Sequence, residues 1–323
     1  SMHHTIARMN AFNKAFANAK DCYKKMQAWH LLNKPKHAFF PMQNTPALDN
    51  GLAALYELRG GKEDAHILSI LSRLYLYGAW RNTLGIYQLD EEIIKDCKEL
   101  PDDTPTSIFL NLPDWCVYVD ISSAQIATFD DGVAKHIKGF WAIYDIVEMN
   151  GINHDVLDFV VDTDTDDNVY VPQPFILSSG QSVAEVLDYG ASLFDDDTSN
   201  TLIKGLLPYL LWLCVAEPDI TYKGLPVSRE ELTRPKHSIN KKTGAFVTPS
   251  EPFIYQIGER LGSEVRRYQS IIDGEQKRNR PHTKRPHIRR GHWHGYWQGT
   301  GQAKEFRVRW QPAVFVNSGR VSS

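Results

Sequence analysis

The chain has 323 residues, of which 42% are hydrophobic and 23% are charged, and its formal net charge is −3. This composition is typical of a globular protein with one or two domains and excludes a disordered chain. Residues 1–30 contain no continuous apolar segment, and the longest apolar run, 206–215, is about half of the roughly twenty residues that a membrane span needs. The sequence therefore predicts no secretory signal and no membrane anchor.

Charge is distributed unevenly along the chain. Residues 90–200 contain 24 Asp or Glu but only four Lys, a balance of −20 that leaves +17 for the remainder. Such asymmetry indicates either that the two parts dock on each other or that they bind different partners. For the acidic part we prefer the simpler interpretation of solvated faces.

The cysteines and the first residues give little sign of a special site. Cys22, Cys97, Cys116 and Cys214 are scattered, which indicates buried thiols in a reducing cytoplasm rather than disulfides or a zinc site. Ser1 precedes Met2 and is set aside as a vector remnant, and the histidines at 3 and 4 are too few for a purification tag.

The N-terminal part is predicted to be helical. Over residues 5–32, side chains recur at spacings of three and four that place them on one helical stripe: Met9, Phe12, Phe16, Ala19, Tyr23, Met26 and His30. We interpret this segment as a docked helix, with a partner-binding helix as the alternative. Further helices are predicted over 46–59, 62–82 and 91–100, the first two separated by the Gly60-Gly61 turn.

From residue 107 the pattern changes to strands. Runs rich in Val, Ile, Phe, Tyr and Trp predict strands over 107–111, 115–121, 139–149, 156–161 and 169–177. No helix separates them, so we expect a mostly antiparallel sheet.

The chain then returns to helices and loops. The patterns predict helices over 181–194 and 199–216, a proline-rich connection over 217–251 and a strand over 253–258. Residues 260–273 fit no single pattern, and 274–286 are predicted to be a basic exposed loop.

Residues 286–310 predict a β-hairpin with two unlike faces, because side chains alternate between the faces of a strand. One face is predicted to carry large apolar groups: Trp293, Trp297, Phe306, Val308 and Trp310. The other is predicted to carry cationic, imidazole and phenol groups: Arg290, His292, His294, Tyr296, Arg307 and Arg309. Glycines in the connection 298–303 supply the positive φ that hairpin loops need. Pairing Trp297 with Lys304 would keep all the large apolar groups on one side.

The polar face of this hairpin is predicted to bind a partner. Between 275 and 309 there are ten Lys or Arg and only Glu275 and Glu305 oppose them. Like charges across strands repel, so the face should favour an anionic or acidic partner. Basic groups interleaved with aromatic rings are typical of RNA or single-stranded nucleic-acid contacts and also suit a peptide groove. The predicted partner-binding residues are Arg289, Arg290, His292, His294, Tyr296, Arg307 and Arg309.

An alternative for His292 and His294 is acid–base catalysis. Two histidines can shuttle protons while Arg307 and Arg309 hold a phosphate, as in a ribonuclease. Two histidines on a basic strand do not by themselves define such a site, so we predict no catalytic residue and leave open whether the protein is an enzyme. The pair has no third metal ligand in the sequence nearby, so no metal and no cofactor are predicted.

Residues 162–168 partly match a calcium-binding loop, but two of the required residues are different. Asp162, Asp164 and Asp166 match the first three ligand positions of an EF-hand loop. The required Gly and Glu are replaced by Asp167 and Gln173. We interpret the segment as a solvated acidic turn.

The C-terminal residues resemble a known family. The segments Pro286-His-Ile-Arg-Arg-Gly-His-Trp-His-Gly-Tyr-Trp297 and Arg307-Val-Arg-Trp-Gln-Pro-Ala-Val-Phe-Val-Asn317 resemble the signature of a type V-A anti-CRISPR family of phages and mobile elements. The opening, Met2-His-His-Thr-Ile-Ala-Arg-Met-Asn-Ala-Phe-Asn13, resembles that of its second-numbered member, and the resemblance extends to Ser323.

The resemblance implies a target and a mode of action, but no residue roles. The implied target is the RNA-guided type V-A effector nuclease. The implied mode is recognition of its N-terminal polypeptide during translation, which blocks production of the nuclease and is followed by loss of the encoding mRNA. The implied partner is this nascent peptide, in the cytoplasm of a bacterial host and with no membrane. Combined with the basic patch, the resemblance also predicts a contact with mRNA or the ribosome.

Together these observations predict an α+β protein with a helical N-terminal part, a central mostly antiparallel sheet and a C-terminal basic aromatic β-hairpin. The predicted division is 1–104, 105–216 and 217–323. The leading function is a non-enzymatic anti-CRISPR inhibitor. The alternatives are an RNA-binding protein with intrinsic ribonuclease activity through His292 and His294, and a mobile-element regulator with another partner.

Overall fold

The computed structural model describes residues 2–58, 65–124, 127–130, 133–165, 168–177, 180–194, 197–277 and 287–316. The chain is an α+β protein, as predicted, and its centre is one large sheet with helices on both faces. In the part that is described, no helix is long and apolar enough to cross a membrane.

The helices are concentrated before and after the central strands. They are α1 (His4–Ala15), α2 (Ala19–Asn33), α3 (Asn50–Leu58), α4 (Ala65–Trp80), α5 (Glu91–Asp96), α6 (Val183–Phe194), α7 (Asp197–Leu210), α8 (Arg229–Leu232) and α9 (Glu259–Lys277). Short 3-10 turns lie at Met42–Leu48, Thr106–Asn111, Ser122–Ala124, Leu211–Leu213 and Gly301–Ala303.

The strands are β1 (Gly85–Leu89), β2 (Cys116–Asp120), β3 (Ala127–Asp130), β4 (Val133–Met149), β5 (Ile152–Thr163), β6 (Asn168–Ile176), β7 (Ile220–Tyr222), β8 (Leu225–Pro226), β9 (Ser238–Ile239), β10 (Phe246–Val247), β11 (Phe253–Ile257), β12 (His287–Arg289), β13 (His292–Gln298), β14 (Glu305–Gln311) and β15 (Val314–Val316). The main sheet has the order β6-β5-β4-β2-β1-β11-β7-β8, with β3 added to β4. Its pairs are antiparallel except at β1, which is parallel to β2 and to β11. The predicted mostly antiparallel sheet is confirmed.

Two cores lie on opposite faces of this sheet because neighbouring residues on a strand point to opposite sides. Ile86 and Tyr118 belong to the core under α1, α2 and α4. Tyr87 and Val119 belong to the core under α5, α6 and α7. The sheet takes strands from all three regions of the predicted division 1–104, 105–216 and 217–323, and the division itself stays a prediction.

Several local predictions differ from the structure. The stripe predicted over 5–32 belongs to two helices, because α1 and α2 are separated at residues 16–18. Five of its residues, Met9, Phe12, Ala19, Tyr23 and Met26, are buried, whereas Phe16 and His30 are half-buried. Residues 107–111 form a 3-10 turn instead of a strand, because a short buried apolar run suits either conformation. Residues 260–273 lie within α9, and the connection 217–251 contains β7 to β10 and α8. The Gly60-Gly61 turn and residues 278–286 lie outside the described residues.

The interpretation of the acidic part as solvated faces is wrong for a set of buried carboxylates: Asp114, Asp120, Asp145, Asp158 and Asp162. Two of them pair with cations from outside residues 90–200, Asp114 with Lys236 and Asp162 with Arg8. Intramolecular docking of unlike charges therefore accounts for part of the charge asymmetry.

Candidate partner-binding surface

The predicted hairpin is present, and its polar face is open. Strands β13 and β14 pair antiparallel from His292 opposite Gln311 to Gln298 opposite Glu305. Gly299 and Gly301 have φ of 103° and 58°, as the loop prediction requires. The connecting residues therefore reverse the chain at low conformational cost.

The predicted register is wrong by two residues, although both faces are correctly predicted. Trp297 lies opposite Phe306 instead of Lys304, and His294 lies opposite Arg309 instead of Arg307. A shift of two preserves the side of the sheet on which each side chain lies. The observed register brings Trp293 opposite Trp310, so two indole rings share the buried side.

Trp293 anchors the hairpin to the body of the protein. Its side chain is 5% exposed. Its indole Nε1 donates to the Pro208 carbonyl at 3.0 Å and lies 3.2 Å from the Cys97 sulfur. The ring centroids of Trp293 and Trp310 lie 4.9 and 5.0 Å from that of Trp212. Aromatic groups at these separations attract one another in addition to burying apolar area.

The start of the hairpin is fixed by a second contact. Asp96, at the end of α5, accepts hydrogen bonds from the Arg290 guanidinium and from the backbone N–H of Gly291, both at 2.9 Å. The Asp96 carboxylate is buried, whereas the Arg290 side chain is 69% exposed. A side chain at position 291 would collide with Trp310, so glycine is required there for this close packing.

The polar face carries the predicted partner-binding groups at exposed positions: Arg290, His292, His294, Tyr296, Arg307 and Arg309. The Arg309 guanidinium lies 5.5 Å from the centroid of the Tyr296 ring, and the His294 imidazole stacks on the same ring at 6.2 Å. Arg307 pairs with Glu305 at 2.5 Å, but both side chains are exposed and such pairs contribute little. The face is therefore cationic, ring-bearing and accessible.

Arg289 is separated from this face. It lies on β12, which pairs with β15 and not with β13. It is exposed, so it can still contact a partner, but the structure does not bring it into the hairpin ladder. Most of the predicted basic loop, residues 278–286, lies outside the described residues.

The geometry of His292 and His294 gives limited support to catalysis. Their ring centroids are 6.5 Å apart. Among the described residues, neither imidazole has a hydrogen-bond or ion-pair partner that would orient it. No group of three or more His, Cys, Asp or Glu suitable for a metal ion occurs in the described chain. The arrangement can bind an anion or stack on a base, since both need only exposed donors and rings.

The sequence analysis missed a cluster of polar side chains at the N-terminus. The buried Asp162 carboxylate accepts from the Tyr118 hydroxyl at 2.6 Å, from His4 Nε2 at 2.7 Å and from Arg8. Next to it, Asp120 Oδ2 lies 3.4 Å from His3 Nε2. These histidines, for which the sequence analysis predicted no role, hold α1 against the sheet.

The prediction of a solvated acidic turn is therefore wrong at Asp162. Asp164 is exposed as expected and accepts from the backbone N–H of His136 at 3.1 Å. Asp166 and Asp167 lie outside the described residues. The partners of Asp162 lie far away in sequence, so no local spacing could have identified them.

Comparison with known proteins places this α+β chain with its exposed cationic hairpin among the anti-CRISPR proteins. The family model "AcrVA2-like: Anti-CRISPR type V subtype A2 family" matches residues 87–318. The chain belongs to this family, which confirms the resemblance at the level of the family. It is also similar to a solved structure, "Crystal structure of AcrVA2", with 92% identity over 98% of this chain and 100% of that chain and a TM-score of 0.88. Among curated proteins, none matches.

Proposed function

We propose that the protein inhibits type V-A CRISPR immunity by binding the N-terminal polypeptide of the effector nuclease during translation. Binding blocks production of the nuclease and leads to loss of its mRNA, in the cytoplasm of the bacterial host. Family membership supports the target system. The observation that carries the proposed contact with mRNA or the ribosome is the open basic and aromatic face of a hairpin whose other face is anchored in the core.

Two contacts are combined in this mechanism. A peptide-binding surface selects the nascent chain, and the hairpin face contacts the polyanion beside it, either mRNA or the ribosome. Arg307 and Arg309 supply charge for phosphates, and Tyr296 supplies a ring on which a base can stack. Binding that depends on phosphate contacts weakens steeply with salt.

Separate measurements test the two contacts. A synthetic peptide with the effector's N-terminal sequence should bind the protein without RNA. RNA should bind in a salt-sensitive manner, and the double substitution Arg307→Glu with Arg309→Glu should abolish that binding while leaving peptide binding unchanged. The matched control reverses Lys241 and Lys242, which are exposed in a turn outside the hairpin.

The outcomes separate the hypotheses. Equal loss of RNA binding in the control would mean that only overall charge matters. Loss of peptide binding in the hairpin variant would mean that one surface serves both partners. Failure of the unmodified protein to bind the peptide would refute nascent-chain recognition.

The ribonuclease alternative rests on the two imidazoles that share an exposed face with two arginines. Incubating the purified protein with the effector transcript, without ribosomes, tests it. Cleavage that disappears in His292→Ala or His294→Ala would support an enzyme. An intact transcript would support a binding protein whose action removes mRNA through host nucleases.

A further inference from the structure

The polar face of the hairpin carries its rings and its cations in two parallel rows. His294 and Tyr296 project from β13, and Arg309 and Arg307 project from the paired strand β14. The ladder places His294 opposite Arg309 and Tyr296 opposite Arg307. At each of these two successive steps, one exposed ring therefore lies beside one exposed guanidinium group. We call the two residues of β13 the ring row and the two of β14 the guanidinium row.

The spacing of the ring row is too wide for bases that stay stacked on each other. The His294 and Tyr296 rings are nearly parallel, with an interplanar angle of 15°, and their centroids lie 6.2 Å apart. Side chains on one face of a strand repeat at about 6.7 Å, so the strand sets this spacing. Neighbouring bases in a duplex are only about 3.4 Å apart. Two successive bases can therefore each stack on one ring only where the nucleic acid is unpaired and extended nearly twofold.

The guanidinium row keeps its charge available to phosphate. With the Gln311 amide turned to satisfy both groups, its oxygen accepts from Nε of Arg309 at 3.0 Å and from Nη2 at 3.2 Å, which orients the guanidinium without neutralising it. The same guanidinium lies 5.5 Å from the centroid of the Tyr296 ring, so a base stacked there lies beside a cation. Arg307 pairs with Glu305, but both side chains are more than half exposed, so this pair contributes little and yields to a phosphate.

The strand under the two rings is held against the body of the protein. Gly295 lies between the two ring-bearing residues, and a Cβ there would collide with Phe306 and come within 3.0 Å of Pro101. Trp293, which precedes the first ring, is buried. Because the backbone is fixed at both points, the rings project from a rigid strand, and less conformational entropy is lost when a ligand stacks on them.

A polynucleotide matches both rows at once. Each of its units carries one planar base and one phosphate, as each step of the ladder carries one ring and one guanidinium group. Bases stack on tyrosine and histidine rings, and arginine binds phosphate. An acidic peptide would neutralise the guanidinium row but leave the ring row without a partner, and a duplex keeps its bases out of reach. The two rows together therefore favour single-stranded RNA.

We propose that this face binds two consecutive unpaired nucleotides of an extended mRNA strand. One base stacks on Tyr296 and the next on His294, while Arg307 and Arg309 contact the phosphates. The requirement for unpaired nucleotides rests on the ring spacing, and it selects mRNA over the folded RNA of the ribosome. That the strand is the transcript of the effector nuclease rests on the proposed function.

Fluorescence anisotropy with the full-length protein tests the requirement for unpaired nucleotides. The probes are a labelled oligouridylate, which forms no structure of its own, and an RNA duplex of the same length with the same label. Each stacked base contributes about fivefold or more in affinity. We therefore expect the oligouridylate to bind at least about tenfold more tightly than the duplex, although the duplex carries more charge.

Single substitutions separate stacking from charge. Tyr296→Leu and His294→Leu each remove a ring and should weaken oligouridylate binding about fivefold or more, whereas Tyr296→Phe and His294→Phe keep a ring and should bind nearly as the unmodified protein does. Trp297→Leu is the matched control, because it removes an exposed ring from the opposite face of the same strand and should leave binding unchanged. Arg309→Gln should reduce the slope of log affinity against log salt by about 0.7, and the ring variants should leave that slope unchanged. Far-ultraviolet circular dichroism establishes that each variant is folded.

The results distinguish the stacking contact from the proposed function as a whole. If the duplex binds as tightly as the oligouridylate, or if folded Tyr296→Leu and His294→Leu bind unchanged, stacking is overturned and the contact with a polyanion stands. If neither RNA binds, the polyanion contact fails as well, whereas nascent-chain recognition is judged by peptide binding alone. If only the effector's N-terminal peptide binds and Tyr296→Leu weakens it, the face is a peptide site and the mRNA contact is overturned.

Discussion

Replacing Trp293 with Ala tests whether a single indole holds the hairpin on the protein. Truncation of a buried tryptophan to alanine typically costs about 3–5 kcal/mol, because apolar burial is lost and a cavity remains. The Trp293 ring is buried between Trp212 and Trp310, and its N–H donates to the Pro208 carbonyl. We therefore expect a loss within this range; the Pro208 carbonyl loses one donor but keeps the Cys97 thiol, which donates to it at 3.1 Å.

Trp297 provides the matched control for this substitution. It lies on the same strand and the same face, four residues further on, but it is 59% exposed. Its main ring contact is with Phe306, at 5.2 Å. Trp297→Ala should therefore change the free energy of unfolding by no more than about 0.5 kcal/mol.

Two measurements are needed, because the hairpin can detach while the sheet stays folded. Urea unfolding followed by circular dichroism reports the global loss, and amide hydrogen exchange of β13 and β14 reports local opening. Trp293→Ala should accelerate exchange in both strands, whereas Trp297→Ala should leave their exchange nearly unchanged. Equal effects of the two substitutions, or a Trp293→Ala protein with native stability and native exchange, would refute the proposed anchor.

Three further predictions concern buried carboxylates. Asp162→Ala removes the buried carboxylate that pairs with the Arg8 guanidinium, which is 14% exposed, so chemical denaturation should show a loss of about 3–5 kcal/mol. Burial opposes ionisation of Asp120, but hydrogen bonds from its neighbours outweigh burial and lower its pKa to about 2. The ionised Asp120 carboxylate therefore contributes about 2 kcal/mol to the free energy of unfolding above about pH 4, and this contribution is lost as pH falls through 2. Asp120→Asn should remove this part of the acid dependence of stability in denaturation curves. Burial raises the pKa of Asp145 to about 6, and burial together with repulsion from Asp145 raises the pKa of Asp158 well above its usual value. The pair costs no stability below about pH 4, and the protein loses stability as pH rises through 6, so Asp158→Asn should stabilise the protein at pH 8 and should not do so at pH 4.

The two faces of the hairpin could be predicted because they depend only on the alternation of side chains along a strand. Trp293 and Trp297 share the apolar face under any register shifted by two residues, and so do Phe306 and Val308. The register itself could not be predicted in this way. It is selected where Trp293 and Trp310 meet Trp212, a ring from a distant segment. Alternation also could not distinguish the buried Trp293 from the exposed Trp297. Their burial depends on which part of the strand lies against the rest of the protein.

The central strand β1 shows a different limit of sequence reasoning. It has five residues, Gly85–Leu89, and is buried on both faces, so its side chains do not alternate between apolar and polar. Strands within parallel pairs characteristically have such continuous patterns. A run this short, directly after α4, cannot be separated from the end of a helix by periodicity. The antiparallel strands β4 and β5 were predicted because they are longer and lie in an uninterrupted series of strands.

Ion pairs in the folded chain explain part of the charge asymmetry along the sequence. Arg8 and Lys236 are matched by Asp162 and Asp114, and Arg290 is partly matched by Asp96. Within the described residues, the acidic segment 90–200 supplies no carboxylate to Arg307 or Arg309. Arg307 has the exposed pair with Glu305 on its own strand, but neither guanidinium faces a buried carboxylate as Arg8 and Lys236 do. A cationic, ring-bearing face whose arginines are neutralised only by exposed or partial pairs, on a firmly anchored hairpin, is therefore a surface where an anionic partner gains by binding.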